Sequence, residues 1–144
     1  MEIKVKKLKD NAFLPTYGSP AAAGADLYAP AGEACSIDPG ETVFIKTGIS
    51  VEIPEGYAGF IYARSSLGSK RGLAPANKVG VIDSDYRGEI MVALLNHSGE
   101  RQTIGGGERV AQLVIAPVLH ARFISADELS DTERGEGGFG STVK

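Results

Sequence analysis

The densest set of reactive side chains lies in Gly-Val-Ile-Asp-Ser-Asp-Tyr-Arg-Gly at positions 80–88. This segment joins two apolar stretches, which predicts a hairpin with two carboxylates and a phenol at its tip. Asp83 could act as a general base at a rigid strand end, and Tyr86 could offer a flat apolar surface to a substrate ring. A polar turn, in which Asp83 or Asp85 bonds its own backbone, is the simpler interpretation, and the spacing alone favours it.

A second group combines a fixed positive charge with two hydroxyls. Ala-Arg-Ser-Ser-Leu-Gly at 63–68 follows an apolar run at 60–62. The Arg64 guanidinium can bind phosphate oxygens as a two-pronged fork, while Ser65, Ser66 and backbone N–H groups surround them. A capped helical turn with a solvated arginine explains the same residues equally well. The sequence has no Walker A motif, so a phosphate site here would be of another type.

Two segments near the ends of the chain carry weaker signals. Ala-Gly-Ala-Asp-Leu-Tyr at 23–28 places Asp26 before an apolar pair, which is more typical of a turn or strand start than of a ligand. The glycine-rich tail at 130–144 has the composition of a mobile end. Its phenylalanine is unusual there, because an apolar ring left in water gains nothing. Four tail side chains could together hold a substrate with a ring and phosphates: Arg134, Phe139, Ser141 and Thr142.

Short strands must position these residues. Apolar and polar residues alternate at 3–6 and at 49–53, the pattern of half-buried strands. The stretches 89–96 and 110–118 are apolar on both faces, which indicates a second buried surface such as a contact with another subunit.

Helices should be few, because 19 glycines and 7 prolines interrupt a chain of 144 residues, a length that suits one domain. The clearest helix signal is a capping box formed by Ser125 and Glu128 before Leu129. Residues 65–70 could form a single turn.

Composition excludes several functions. With 15 basic and 18 acidic side chains the net charge is −3, so we expect neither stable nucleic-acid binding nor attachment to anionic membranes. The start of the chain has no signal-peptide pattern, and a cytoplasmic location is expected. Cys35 lacks cationic neighbours in sequence, so a thiol nucleophile is not expected, and His97 and His120 lack the spacing of a zinc site.

Five segments, taken in order, resemble the motifs of the trimeric deoxyuridine triphosphate pyrophosphatases, or dUTPases. They are the segment at 23–28, Ala-Arg-Ser-Ser at 63–66, the segment at 80–88, Glu-Arg-Val-Ala-Gln-Leu at 108–113 and Arg-Gly-Glu-Gly-Gly-Phe-Gly-Ser-Thr at 134–142. Any one motif is weak evidence, but five in order span nearly the whole chain.

The resemblance implies an all-β subunit, a jelly-roll-like barrel or sandwich with a short helical turn, in a homotrimer with shared active sites. Residues 1–129 would form the catalytic domain, and 130–144 a flexible arm closing an active site. The implied reaction converts dUTP and water to dUMP and pyrophosphate with Mg²⁺ on the triphosphate. It would limit uracil incorporation into DNA and supply dUMP for thymidylate synthesis.

Residue roles also follow from the resemblance. Asp83 would orient and deprotonate the attacking water, and Tyr86 would stack under the deoxyribose and exclude a 2′-hydroxyl. Asp26 resembles the carboxylate associated with magnesium, through water, while Arg109 would be structural and paired with an acidic neighbour. The base would contact Asn77 and the backbone of Gly80, Val81 and Ile82. Phe139 of the arm would cover the bound uracil. The other substrate contacts, mainly to the phosphates, would come from Arg64, Ser65, Ser66, Gln112, Arg134, Gly140, Ser141 and Thr142.

Two positions depart from the family pattern: Ser66 stands where glycine is frequent, and Val143 where the arm commonly ends in glycine. Two alternatives stay open. A dCTP deaminase, or a bifunctional form, resembles this family in fold. A non-catalytic trimeric protein could use the nucleotide pocket as a regulatory switch. Asp83, the arginines that resemble phosphate contacts and the arm together favour hydrolysis of dUTP over both alternatives.

Overall fold

Glycine turns divide this chain into short strands. Gly40 and Gly56 adopt φ angles of +77° and +83°, which favour glycine, in two of these turns. The computed structural model describes residues 1–138. Its strands are β1 (Lys4–Lys7), β2 (Thr16–Tyr17), β3 (Ala25–Tyr28), β4 (Cys35–Ile37), β5 (Thr42–Lys46), β6 (Ile49–Glu52), β7 (Tyr57–Tyr62), β8 (Leu73–Pro75), β9 (Gly80–Ile82), β10 (Met91–Asn96), β11 (Gln102–Ile104) and β12 (Arg109–Pro117), with α1 (Ser65–Arg71) after β7.

The strands pair antiparallel in four sheets around one core. The largest has the order β2-β3-β12-β7-β9, a second has β5-β10-β8, and two-stranded sheets join β1 to β6 and β11 to β4. Completely buried side chains from several sheets, such as Leu27, Ile37, Ile49 and Leu94, meet in a single cluster. The all-β expectation is therefore confirmed, as is the short helical turn near residue 65. No helix within residues 1–138 is long and apolar enough to span a membrane.

Two local expectations are wrong. The segment after β9 is not a hairpin, because β9 pairs with β7 whereas β10 pairs with β5 and β8. It is a crossover between two sheets, since the backbones of β9 and β10 hydrogen-bond with strands of different sheets. The predicted helix near Ser125 is also absent from the described residues. Leu129 is 89% exposed there, and so short a helix is unstable without a packed apolar face.

The crossover is anchored where it enters β10. The Thr47 hydroxyl donates to the Ile90 carbonyl at 2.6 Å, and the Ile90 N–H donates to the Ile49 carbonyl at 2.8 Å. The Gly48 N–H donates to Glu89 Oε1 at 2.9 Å. These bonds fix the end of the segment that carries Asp83.

Asn96 is the most deeply buried amide in the described core, with no exposed surface. Its Nδ2 donates to the carbonyls of Ile37 and Glu100 at 2.9 and 2.8 Å. Its Oδ1 accepts from the Ser98 N–H at 2.9 Å and the Ser98 hydroxyl at 2.7 Å. One side chain therefore joins β10, β4 and the turn before β11.

We predict that Asn96→Ala destabilises the protein by about 2–4 kcal/mol, because it leaves buried polar groups without partners. The measurement is urea unfolding. Asn11→Ala is the control, since exposed Asn11 also donates to a carbonyl, that of Ala31, but in contact with water. Its cost should stay near ~1 kcal/mol. Equal losses in both variants would contradict the structural role of Asn96.

Candidate active site

A cavity of about 220 Å³ lies beside β9. We call it the β9 cavity. It is lined by Asp83, which the resemblance assigns to the attacking water, and by the five residues that it assigns to the base and sugar: Asn77, Gly80, Val81, Ile82 and Tyr86. It is also lined by Phe44 and Met91, which the sequence analysis did not single out. The two-faced apolar pattern of the 89–96 stretch was the signal for Met91, whose side chain lies on the outward face of β10 and is 42% exposed.

Backbone geometry opens this cavity to a polar ligand. Among residues 1–138, β9 is the edge strand of its sheet and pairs with β7 on one side only. Its other edge leaves peptide donors and acceptors free for a ligand. A Cβ at Gly80 would lie 3.2 Å from the Ile61 Cβ and 3.3 Å from the Asn77 Nδ2. The missing side chain therefore lets the Asn77 amide approach the strand backbone.

Asp83 follows the last residue of β9 and is exposed. It lines the β9 cavity and also a larger neighbouring cavity of about 820 Å³, whereas Asp85 lines only the larger one. Its backbone carbonyl accepts the Tyr86 N–H at 3.2 Å. Within residues 1–138, no side-chain hydrogen bond or ion pair engages its carboxylate. Its oxygens are therefore open to contact with a molecule in either cavity.

A buried carboxylate organises a second cluster, which we call the Asp26 cluster. Asp26 is only 3% exposed. Its Oδ1 accepts from Arg64 Nε at 3.1 Å and Gln112 Nε2 at 3.4 Å, and its Oδ2 accepts from Arg109 Nη1 at 3.3 Å. The expected acidic partner of Arg109 is therefore Asp26. One carboxylate fixes three side chains, two of which resemble phosphate contacts.

Helix α1 extends the Asp26 cluster. Arg64 is its extended N-cap residue and donates to the Ser66 hydroxyl, while Ser65 is exposed at the first helical position. At the other end, Arg71 donates to Gln102 Oε1 at 3.1 Å and is paired with Glu108. A cleft of about 470 Å³ lies between α1 and the turn before β12. Its charged lining consists of Arg64, Lys70, Arg71, Glu108 and Arg109, an excess of cations that suits an anion.

The β9 cavity and the Asp26 cluster lie at opposite ends of β7. Gln112 pairs with Tyr62 at the last residue of β7, just before Arg64. Ile82 pairs with Gly59, so Asp83 lies beside Ala58 near the start of the strand. Four strand residues correspond to about 13 Å. A single chain therefore does not bring Asp83 next to the Asp26 cluster.

Other candidate residues take no part in these groups. Burial raises the pKa of the Cys35 thiol, which keeps it protonated at neutral pH. Arg134 lies in an exposed turn and donates to the Gly137 carbonyl at 2.6 Å. No cluster of three or more His, Cys, Asp or Glu side chains suited to a metal occurs in the described part of the chain. The other arm residues that the resemblance assigns to the substrate lie outside the described residues: Phe139, Gly140, Ser141 and Thr142. Val143, which departs from the family pattern, lies outside them as well.

Comparison with known proteins decides the family. The dUTPase family model matches residues 10–143. This chain belongs to the dUTPase family. It is 52% identical over 144 residues to the deoxyuridine 5'-triphosphate nucleotidohydrolase of Nautilia profundicola, with all of both chains covered.

Solved dUTPase structures share the fold. A variant dUTPase of Staphylococcus bacteriophage 80alpha with dUpNHpp has a TM-score of 0.88 at 31% identity and covers 97% of each chain. A variant dUTPase from phage phi11 of S. aureus, described with a structural Mg(II) ion, has a TM-score of 0.80 at 28% identity, covering 89% of this chain and 98% of that one. The jelly-roll-like fold expected of this dUTPase-family chain is confirmed.

We predict that Asp26→Asn lowers the free energy of unfolding by about 1–3 kcal/mol, because it removes the negative charge that Arg64 and Arg109 share in a buried setting. Urea unfolding measures the loss. Glu52→Gln is the matched control, since the same change there affects an exposed pair with Lys4, worth at most ~1 kcal/mol. An Asp26→Asn protein as stable as the control would contradict the organising role of the carboxylate.

Proposed function

We propose that this chain hydrolyses dUTP to dUMP and pyrophosphate. Membership of the dUTPase family supports this activity, and so do the names of the relatives. The observation that carries the proposal is the β9 cavity, where a free carboxylate, an aromatic ring and an unpaired strand edge line one space. In a cell, this reaction would limit uracil incorporation into DNA and supply dUMP for thymidylate synthesis. A cytoplasmic location stays a prediction from the sequence.

The nucleoside half of the substrate fits the β9 cavity. Uracil would form hydrogen bonds with the backbone of β9 at its free edge, from Gly80 to Ile82, and with the side-chain amide of Asn77. Cytosine reverses the donor and acceptor positions that uracil carries at O4 and N3, so the same backbone groups would reject it. Tyr86 would lie under the deoxyribose and leave no space for a 2′-hydroxyl.

Asp83 would act as the general base. Its carboxylate takes a proton from a water molecule as the water oxygen forms a bond to the α-phosphorus. The bond from that phosphorus to the bridging oxygen breaks, and pyrophosphate leaves. The exposed, unpaired carboxylate at the end of β9 supports this role, since a strand end holds it in a fixed place.

Arg64, Ser65, Ser66 and Gln112 would bind the phosphates. Asp26 supports this role by holding Arg64 and Gln112 in place. Magnesium fits here only as an ion carried mainly by the phosphates. Three donors already occupy the Asp26 carboxylate, which could accept hydrogen bonds from the waters of the ion. When bound, the ion would reduce the negative charge of the triphosphate.

The separation of the β9 cavity and the Asp26 cluster supports active sites shared between copies of the chain, and the family resemblance supplies a homotrimer as their arrangement. The α-phosphorus and the γ-phosphate are two anhydride links apart, which is less than the distance along β7 between Asp83 and the Asp26 cluster. Asp83 of one copy would therefore act with Arg64 of another. Exposed apolar side chains after β12, among them Leu119 at 97% and Phe123 at 94%, offer surface for such contacts.

The experiment that tests this function measures pyrophosphate release from dUTP, UTP, dCTP and dTTP, with and without Mg²⁺. Among the four nucleotides, we expect rapid pyrophosphate release only from dUTP, and only when Mg²⁺ is present. Ammonia release from dCTP would support the deaminase alternative instead. Tight dUTP binding without turnover would support the regulatory one.

We predict that Asp83→Asn binds dUTP but turns it over about 10²- to 10⁴-fold more slowly, because an amide cannot accept the proton. The matched control is Asp85→Asn, which removes a carboxylate that does not line the β9 cavity. It should lose less than about tenfold, below the effect expected for a general base. A fully active Asp83→Asn enzyme would eliminate Asp83 as the base.

Residues 1–129 would form the catalytic domain and 130–144 an arm that closes an active site. We predict that deleting residues 134–144 lowers kcat/KM for dUTP by more than about 100-fold, since the arm supplies charge-assisted phosphate contacts. Sedimentation should still give three times the mass of one truncated chain. Normal activity after truncation, or a single-chain mass, would contradict this division.

A further inference from the structure

Gly88 lies against the ring of Tyr86 with no space for a side chain. A Cβ at position 88 would be 2.2 Å from the phenol oxygen of Tyr86, 2.4 Å from Cζ and 2.8 Å from Cε2. Real Cβ atoms do not come this close to other atoms. The φ angle of Gly88 lies outside the left-handed region, so its backbone conformation is open to alanine. The contact with Tyr86 therefore requires glycine at position 88. The backbone conformation of the segment does not require it.

The hydroxyl end of the ring, which contacts Gly88, is also held by a hydrogen bond. The Tyr86 hydroxyl donates to the Glu89 carbonyl at 3.1 Å. Glu89 is itself fixed, because its carboxylate accepts the Gly48 N–H and the next residue, Ile90, bonds to Ile49. The phenol is thus tied to a rigid part of the backbone while its hydroxyl end lies against Gly88.

We propose that Gly88 is a specificity-determining residue for the sugar. Its missing side chain lets the Tyr86 ring rest on the backbone of the crossover, in the position that shapes the sugar end of the β9 cavity. This inference rests on the proposed function, in which Tyr86 excludes a 2′-hydroxyl.

A side chain at position 88 would change the cavity without unfolding the protein. The added carbon meets the phenol oxygen and two ring atoms, so the ring must move as a rigid plane and give up its bond to Glu89. Tyr86 is 41% exposed, and its ring can turn into solvent about two side-chain torsions. The sugar end of the cavity then widens. The uracil end, formed by Asn77 and the edge of β9, stays in place.

The test compares kcat/KM for dUTP, UTP and dCTP in wild type and Gly88→Ala. We expect the preference for dUTP over UTP to fall by at least about tenfold, the size of a one-carbon change in a binding pocket. The preference for dUTP over dCTP should stay within about threefold, because base recognition is separate. Gly18→Ala is the control, since a Cβ there meets nothing within 4 Å and its φ is also outside the left-handed region.

A double variant shows whether Gly88 acts through the ring. In a Tyr86→Ala background the added methyl group has no ring to displace, so Gly88→Ala should cause no further change in sugar preference. If Gly88→Ala alone does not fold, the double variant should fold, and failure of both would overturn the inference. An unchanged sugar preference, or a parallel fall in both preferences, would also overturn it. Wild-type protein that fails to prefer dUTP over UTP would instead reveal a failure of the proposed function, before any variant is compared.

Discussion

Strand β7 pairs with β12 on one side and β9 on the other, and the rest of the site depends on this antiparallel arrangement. The pairing of Tyr62 with Gln112 places the Asp26 cluster at one end of β7. The pairing of Gly59 with Ile82 directs the chain toward Asp83 at the opposite end. Hydrogen-bonded register is costly to change, because a slip of one residue moves each side chain to the other face. The separation of the two groups is therefore a fixed property of the sheet.

A different physical constraint applies at each end of β7. At the Asp26 end, cationic side chains must lie close together without a bound anion, and a buried carboxylate offsets their repulsion. At the Asp83 end, a ligand base needs backbone donors and acceptors, which only an edge strand leaves free. Turns and short strands suit both needs, because they bring fixed groups to the surface without a long rigid element.

Local patterns in the sequence predicted short strands and offered Asp83 and Tyr86 as candidates, whereas Asn77 and the backbone of 80–82 came from the family resemblance, and Phe44 and Met91 were not predicted. Alternating residues at 3–6 and 49–53 gave correct strands, since burial of one face acts residue by residue. They could not show that β10 leaves β9 for another sheet, because the partner of a strand is set by distant segments. Nor could they show the burial of Asp26, whose three donors come from after β7 and from β12. The tight approach of Gly88 to Tyr86 likewise depends on how the crossover folds back on itself.

The most direct test of a site shared between chains mixes two inactive variants. Asp83→Asn and Arg64→Ala proteins are each purified, unfolded together in equal amounts, refolded and assayed with dUTP. If one copy supplies Asp83 and another Arg64, random assembly in a closed ring gives about a quarter of the sites both intact groups, so about a quarter of wild-type activity should return. If the mixture is no more active than the separate variants, each site lies within one chain and the account is wrong.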